Sequence, residues 1–149
     1  MEIIEAPLKE FTLFVREGMV ASKCTNMGVS FWLIYDDAST EENPCIVAEG
    51  IDENGDAFRQ KIFVKDVDPE NATYIEMTAL ETHLNGGKSV SKGMTLNGDL
   101  GLNDRFNFVD DYRQYVHLLT RDRWYGYKEY QEYMVDFERK LFEEFHRVI

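Results

Sequence analysis

The chain is short of cysteine, proline and basic residues, and it lacks any long apolar run. Each shortage removes a class of protein. Cys24 and Cys45 are the only cysteines in 149 residues and form no C-x-x-C pair. A disulfide-stapled secreted domain or a zinc module needs more than that. The longest uncharged run, Cys24 to Tyr35, is twelve residues, against the roughly 20 that a membrane-spanning helix needs. The opening MEIIEAPL has neither a basic n-region nor an apolar h-region. The sequence therefore predicts no signal peptide, free thiols and a cytoplasmic location. Sixteen Lys and Arg face 28 Asp and Glu, a formal net charge of −12. That balance argues against direct contact with nucleic acid or an anionic membrane.

The chain does have the material of a core. It is 44% hydrophobic and 13% aromatic with only three prolines, a folded rather than a disordered composition. The length suits one domain over residues 1–149. The negative charge is not spread evenly. Residues 36–81 hold thirteen acidic side chains against Arg59, Lys61 and Lys65, a net of −10. Such a local excess attracts basic surfaces.

Patterning divides the chain into a strand-rich first half and a helix-rich second half. Val29 to Tyr35 is apolar on both faces, as a central strand is. Residues 45–65 read as a hairpin, with Asn54-Gly55 predicting a type I′ turn and a positive φ at Gly55. Beyond it Phe58, Ile62 and Val64 alternate with Arg59, Lys61 and Lys65, while Gln60 and Phe63 soften the pattern. Residues 8–17 fit a strand better than a helix. A helix is expected over about 69–84, with Asp68 as its cap, Pro69 at its first position and Asn85-Gly86-Gly87 at its end. Residues 86–104 read as a long loop with room for a short strand at Met94 to Leu96. Two more helices are expected, over about 107–121 and about 127–147. In the last of them Tyr127, Tyr130, Met134, Phe137, Leu141 and Val148 make a near-heptad stripe. Intramolecular packing explains the stripe best, and a homodimer seam through residues 127–148 is the other reading. The fold class expected is α+β: a small antiparallel sheet packed against two or three helices.

No motif carries an obvious chemistry. Asp52-Glu53-Asn54-Gly55-Asp56 opens like a calcium loop, but Ala57 and Phe63 stand where glycine and a bidentate glutamate are required. It reads as an acidic hairpin turn. His83, His117 and His146 fall one per helix, without metal-ligand spacing. Asn97-Gly98-Asp99-Leu100-Gly101 lacks the lysine and the spacing of a phosphate loop. No metal, cofactor or catalytic residue is therefore predicted. The segment 121–130 interleaves Arg121, Arg123 and Lys128 with Trp124, Tyr125, Tyr127 and Tyr130. These residue types fill a helix junction, anchor a protein interface or stack on single-stranded nucleic acid, and the acidic remainder of the chain disfavours the last.

These features point to a non-enzymatic acidic binding protein. The specific expectation is an inhibitor that blocks a basic, nucleic-acid-binding surface of a partner protein, in the manner of the small acidic anti-defence proteins of phages and mobile elements. The residues expected to meet the partner are Asp36, Asp37, Glu41, Glu42, Asp52, Glu53, Asp56, Arg121, Arg123, Trp124 and Tyr125. The alternatives are a homo-oligomeric or adaptor module built on the last helix, and a small enzyme whose site is assembled in space.

Overall fold

The computed structural model describes residues 18–95, 99–122 and 126–149. They form an α+β fold, a four-stranded antiparallel sheet followed by three α-helices. Strands β1 (Met19–Cys24), β2 (Ser30–Tyr35), β3 (Cys45–Ile51) and β4 (Ala57–Phe63) lie side by side in chain order. The apolar run at 29–35 becomes β2, paired on both edges, as its two-sided hydrophobicity requires. Phe31 and Leu33, with Ile46, Ala48 and Ile62 from the neighbouring strands, join one buried cluster with the helices. On the other face Trp32, Cys45 and Val47 are buried as well. The two soft places in β4 are resolved by register. Gln60 takes an inward position opposite Ala48, and Phe63 turns outward and stays exposed.

The β3–β4 hairpin forms as expected, but its turn differs. Residues 52–56 make a five-residue loop. The Gly55 N–H donates to the Asp52 carbonyl (3.0 Å), and the Asp52 N–H donates to the Asp56 carbonyl (2.8 Å). Gly55 has φ +84° while Asn54 does not share the positive φ that a type I′ turn demands. The Asp52 side chain explains the change. Its Oδ1 accepts from the backbone N–H of both Asn54 and Asp56, each at 2.9 Å, and this Asx geometry holds the longer loop.

Helix α1 (Tyr74–Leu84) starts five residues later than its proline signal suggests. Asp68 caps only a turn, accepting from the Glu70 N–H at 2.9 Å. Ala72 and Thr73 instead form strand β5, paired with Arg105 and Phe106 of strand β6. Thr73 is the true cap: its hydroxyl accepts from the Glu76 N–H, and the Glu76 carboxylate accepts from the Thr73 N–H. That reciprocal capping box satisfies two orphan donors, where Asp68 would satisfy one. The helix ends at Asn85, with Gly86 and Gly87 both at positive φ. Met94 and Thr95 form no strand, and Leu96 and residues 8–17 lie outside the described residues.

Helix α2 (Phe108–Arg121) is capped by Asn107 and buries Phe108, Val109 and Tyr112. Helix α3 (Tyr127–Phe145) packs against α1 and α2. Its stripe residues Met134, Phe137 and Leu141 are buried inside the chain, whereas Val148 lies past the helix end and is exposed.

Two glycines test this fold by different routes. A side chain on Gly55 meets nothing within 4 Å, so only its φ opposes substitution. A Cβ on Gly50 would stand 1.9 Å from the Ser30 carbonyl oxygen of the adjacent strand. Gly55→Val should therefore lower stability by about 1–2 kcal/mol. Gly50→Ala, despite its smaller side chain, should lower it by about 3 kcal/mol or more, because backbone must move. Urea denaturation of the two variants checks the order, and equal midpoints would refute the β2–β3 register.

Candidate functional site

The antiparallel topology separates the acidic residues that the sequence puts in one stretch. Asp36, Asp37, Glu41 and Glu42 lie in the β2–β3 loop, at one end of the sheet. Asp52, Glu53 and Asp56 lie in the β3–β4 loop, at the opposite end. The seven residues of β3 stand between them, a separation of roughly 20 Å at about 3.3 Å per residue.

At the first end the charge is partly answered. Asp36 Oδ2 accepts from the Ala38 N–H at 3.0 Å and lies 3.8 Å from Lys61 Nζ. Lys65 Nζ donates to the Glu42 carbonyl at 3.4 Å, and the Arg147 guanidinium donates to the carbonyls of Lys65 and Val67. Asp37, Glu41 and Glu42 are exposed.

The second end gathers more acid than its own loop supplies. The Leu102 N–H donates to the Glu53 carboxylate at 3.1 Å. This bond brings the 99–104 loop against the hairpin, and with it Asp99 and Asp104. Asp104 Oδ2 accepts from the Gly101 N–H at 2.7 Å. Asp99 Oδ1 accepts from Asn26 Nδ2, in the β1–β2 turn, at 3.0 Å. Gly101 makes the approach feasible, because a Cβ there would lie 2.0 Å from Glu53 Oε2. The result is a rim of five carboxylates on two loops, with Asn26 of a third loop bonded to it. Residues 25–29, 52–56 and 99–104 contain no Lys or Arg.

Of the basic-aromatic segment, Arg121 sits exposed at the end of α2 and pairs with its neighbour Asp122 at 3.2 Å. Arg123, Trp124 and Tyr125 lie outside the described residues.

A second centre went unseen in the sequence. Nine of the eleven residues of α1 are buried, and Glu81 is among them, 1% exposed. Glu81 Oε2 accepts from the Met94 N–H and from the Tyr133 hydroxyl, both at 2.5 Å. Glu81 Oε1 has no hydrogen-bond partner among the described residues. Burial pushes the Glu81 carboxyl above the ordinary carboxylate range, against the pull of Tyr133, Met94, the Lys23 charge and the Thr95 amide. Burial also lowers the Lys23 ammonium, which donates to Thr95 Oγ1 at 3.0 Å. The hydroxyls of Tyr133 and Tyr112 are raised, first by burial and then by the nearby Glu81 charge. Glycine at 93 lets the loop close, since a Cβ there would lie 2.6 Å from Glu81 Oε2.

The histidines have structural or solvated settings. His83 bridges Tyr35 Oη (2.7 Å from Nδ1) and Glu144 Oε1 (2.8 Å from Nε2), tying β2 and α3 to α1. His117 is exposed, and His146 caps α3 at φ +55°. Among the described residues no group of three or more His, Cys, Asp or Glu could hold a metal ion. No helix among them is long and apolar enough to cross a membrane. Compared with models of protein families, with curated proteins and with solved structures, the chain matches none of them.

The Glu81 centre makes a pH prediction. Its carboxyl has a higher pKa folded than unfolded, so its contribution to stability is complete below the unfolded pKa. That contribution is lost as pH rises through the folded one. Glu81→Gln keeps the shape and the acceptor for Tyr133 and Met94, so it should fold with nearly wild-type stability and lose this alkaline decline. Glu81→Leu leaves a buried N–H and a buried hydroxyl unpaired and should lower stability by about 2–4 kcal/mol. Thermal melts from mildly acid to mildly alkaline pH, run on all three proteins, decide the matter.

Proposed function

We propose that this chain is a non-enzymatic binding protein that sets its acidic rim against a basic surface of a partner protein. The rim comprises Asp52, Glu53, Asp56, Asp99 and Asp104. The observation that carries the reading is their preorganisation. Three loops from distant parts of the sequence are pinned together by the Glu53–Leu102 and Asn26–Asp99 bonds, the 99–104 loop is braced within itself by Asp104–Gly101, and the three loop segments contain no Lys or Arg. Loops already ordered lose little entropy on binding, so more of the electrostatic attraction appears as affinity. The specific form is an inhibitor that covers a nucleic-acid-binding surface, with carboxylates standing where phosphates would lie. The β2–β3 loop is the weaker candidate surface, since Lys61, Lys65 and Arg147 approach it.

A second reading, an oligomeric or adaptor module, draws on α3. Val135 (69% exposed) and Phe142 (53% exposed) lie one heptad apart on its outer side. A mass that rises with concentration in analytical ultracentrifugation, and falls back in Val135→Lys/Phe142→Lys, would favour it.

The rim is tested with a partner captured from host extract. Asp56→Asn/Asp99→Asn should weaken the complex and flatten its salt dependence, because two charges leave the contact surface. Asp37→Asn/Glu41→Gln/Glu42→Gln at the other end should change both far less. The reverse ranking would move the surface to the β2–β3 loop. No effect from either set would sink the acidic-contact reading.

A further inference from the structure

Away from the rim, an open groove of about 900 Å³ runs between the 85–92 loop and α3, with Glu81 among its lining residues. We propose that this groove binds a small molecule carrying an ammonium or guanidinium group on an aliphatic stem, with the Glu81 carboxylate receiving the charged head.

Three observations support this. The first is the orphaned acceptor. A carboxylate has room for about four hydrogen bonds, and both bonds to Glu81 fall on Oε2. Oε1 is buried without a partner among the described residues, Glu81 is one of the residues that line the groove, and a buried unsatisfied oxygen calls for a donor. The second is the pairing of the other charges. Lys92 meets Glu129 at 3.0 Å, and Asp136 takes both Arg139 and Lys140. Lys92, Arg139 and Lys140 on the rim of the groove are thus each paired with a carboxylate, whereas Glu81 makes no ion pair among the described residues. Lys23, the cation nearest in effect, is engaged with Thr95. The third is the wall. Leu84, Phe137 and the Tyr133 ring line the same groove, apolar surface suited to a methylene stem and an aromatic face suited to a cation. An anion would have to face the carboxylate, and an alcohol would satisfy Oε1 without the added strength of a charged donor.

The proposal has a proton signature. Burial raises the Glu81 pKa, and a cation beside the carboxylate lowers it, so binding is expected to be accompanied by proton release. Lys23 on β1, Tyr74 at the start of α1, Tyr112 on α2 and Tyr133 on α3 face this carboxyl. Tyr74, Tyr112 and Tyr133 are all raised above their ordinary values and stay neutral at neutral pH. Lys23 is checked by Lys23→Gln, which should keep the effect.

The experiment is calorimetric titration of the full chain with agmatine, and with n-hexanol as the uncharged stem. Agmatine should bind, with affinity rising as pH rises and proton release visible between buffers of different ionisation heat. Glu81→Gln, with its melting temperature retained, should bind about tenfold more weakly or worse and show a flat pH profile. Glu132→Gln, an acidic neighbour on the same groove, should change little. The proton count is measured on the unaltered protein and stands even if Glu81→Gln fails to fold. Absence of binding up to about 10 mM agmatine, equal binding of hexanol, or binding without proton release would overturn the proposal.

Discussion

A carboxyl group in the middle of a helix buried on nearly every side is the constraint around which the described structure is arranged. Helix α1 presents only Glu76 and His83 in half-open positions, so its polar residues must be answered from within. Thr78 bonds back to the Tyr74 carbonyl at 2.7 Å, a local solution that asks nothing of the rest of the chain. Glu81 has no local solution. Its partners come from Met94, thirteen residues on, and from Tyr133, fifty-two residues on. Satisfying that one group fixes the path of the 88–95 loop and the placement of α3. Tyr112 extends the network, its hydroxyl donating to the carbonyls of Lys92 and Tyr130. The low local dielectric that strengthens these bonds makes their loss expensive.

The second organising fact is topological. A simple up-and-down sheet sends alternate loops to opposite ends. An acid-rich stretch that spans β3 is therefore split, whatever its net charge. Each end then acquires company from elsewhere in the chain: lysines and Arg147 at one end, further aspartates at the other. The electrostatic character of a surface belongs to the fold and not to the segment.

What the sequence made legible follows from range. The 45–65 hairpin, the central strand at 29–35, and the α2 and α3 boundaries rest on local periodicity, caps and glycines, and the structure agrees with them within a residue or two. The start of α1 is ambiguous in sequence because Asp68-Pro69 and Thr73-x-x-Glu76 are both valid start signals. The choice between them is made by the pairing of Ala72 with Phe106, thirty-four residues away. Glu81 was counted with the surface charge, since an acid on an amphipathic pattern is nearly always solvated. The rim was half visible. Asp52, Glu53 and Asp56 stand in plain sequence, but Asp99 and Asp104 join them only when Leu102 reaches Glu53. Glycine at 101 is a faint trace of that closure.

The two centres use carboxylates in opposite ways, and the difference follows from solvent. At the rim, backbone N–H donors at Asn54, Asp56, Gly101 and Leu102 bond the carboxylates of Asp52, Glu53 and Asp104 and offset their mutual repulsion. Those donors hold the charges close without neutralising them. In the core, burial raises the pKa of the same functional group, and the Lys23 charge opposes that shift without cancelling it. A chain with a net charge of −12 is strained by self-repulsion, and a basic ligand at either place would relieve it. At the rim that relief is long-range and screened by salt. At Glu81 it would be short-range and shielded from salt. The two modes of recognition proposed for positive charge, one sensitive to ionic strength and the other to pH, rest on where the fold leaves each carboxylate.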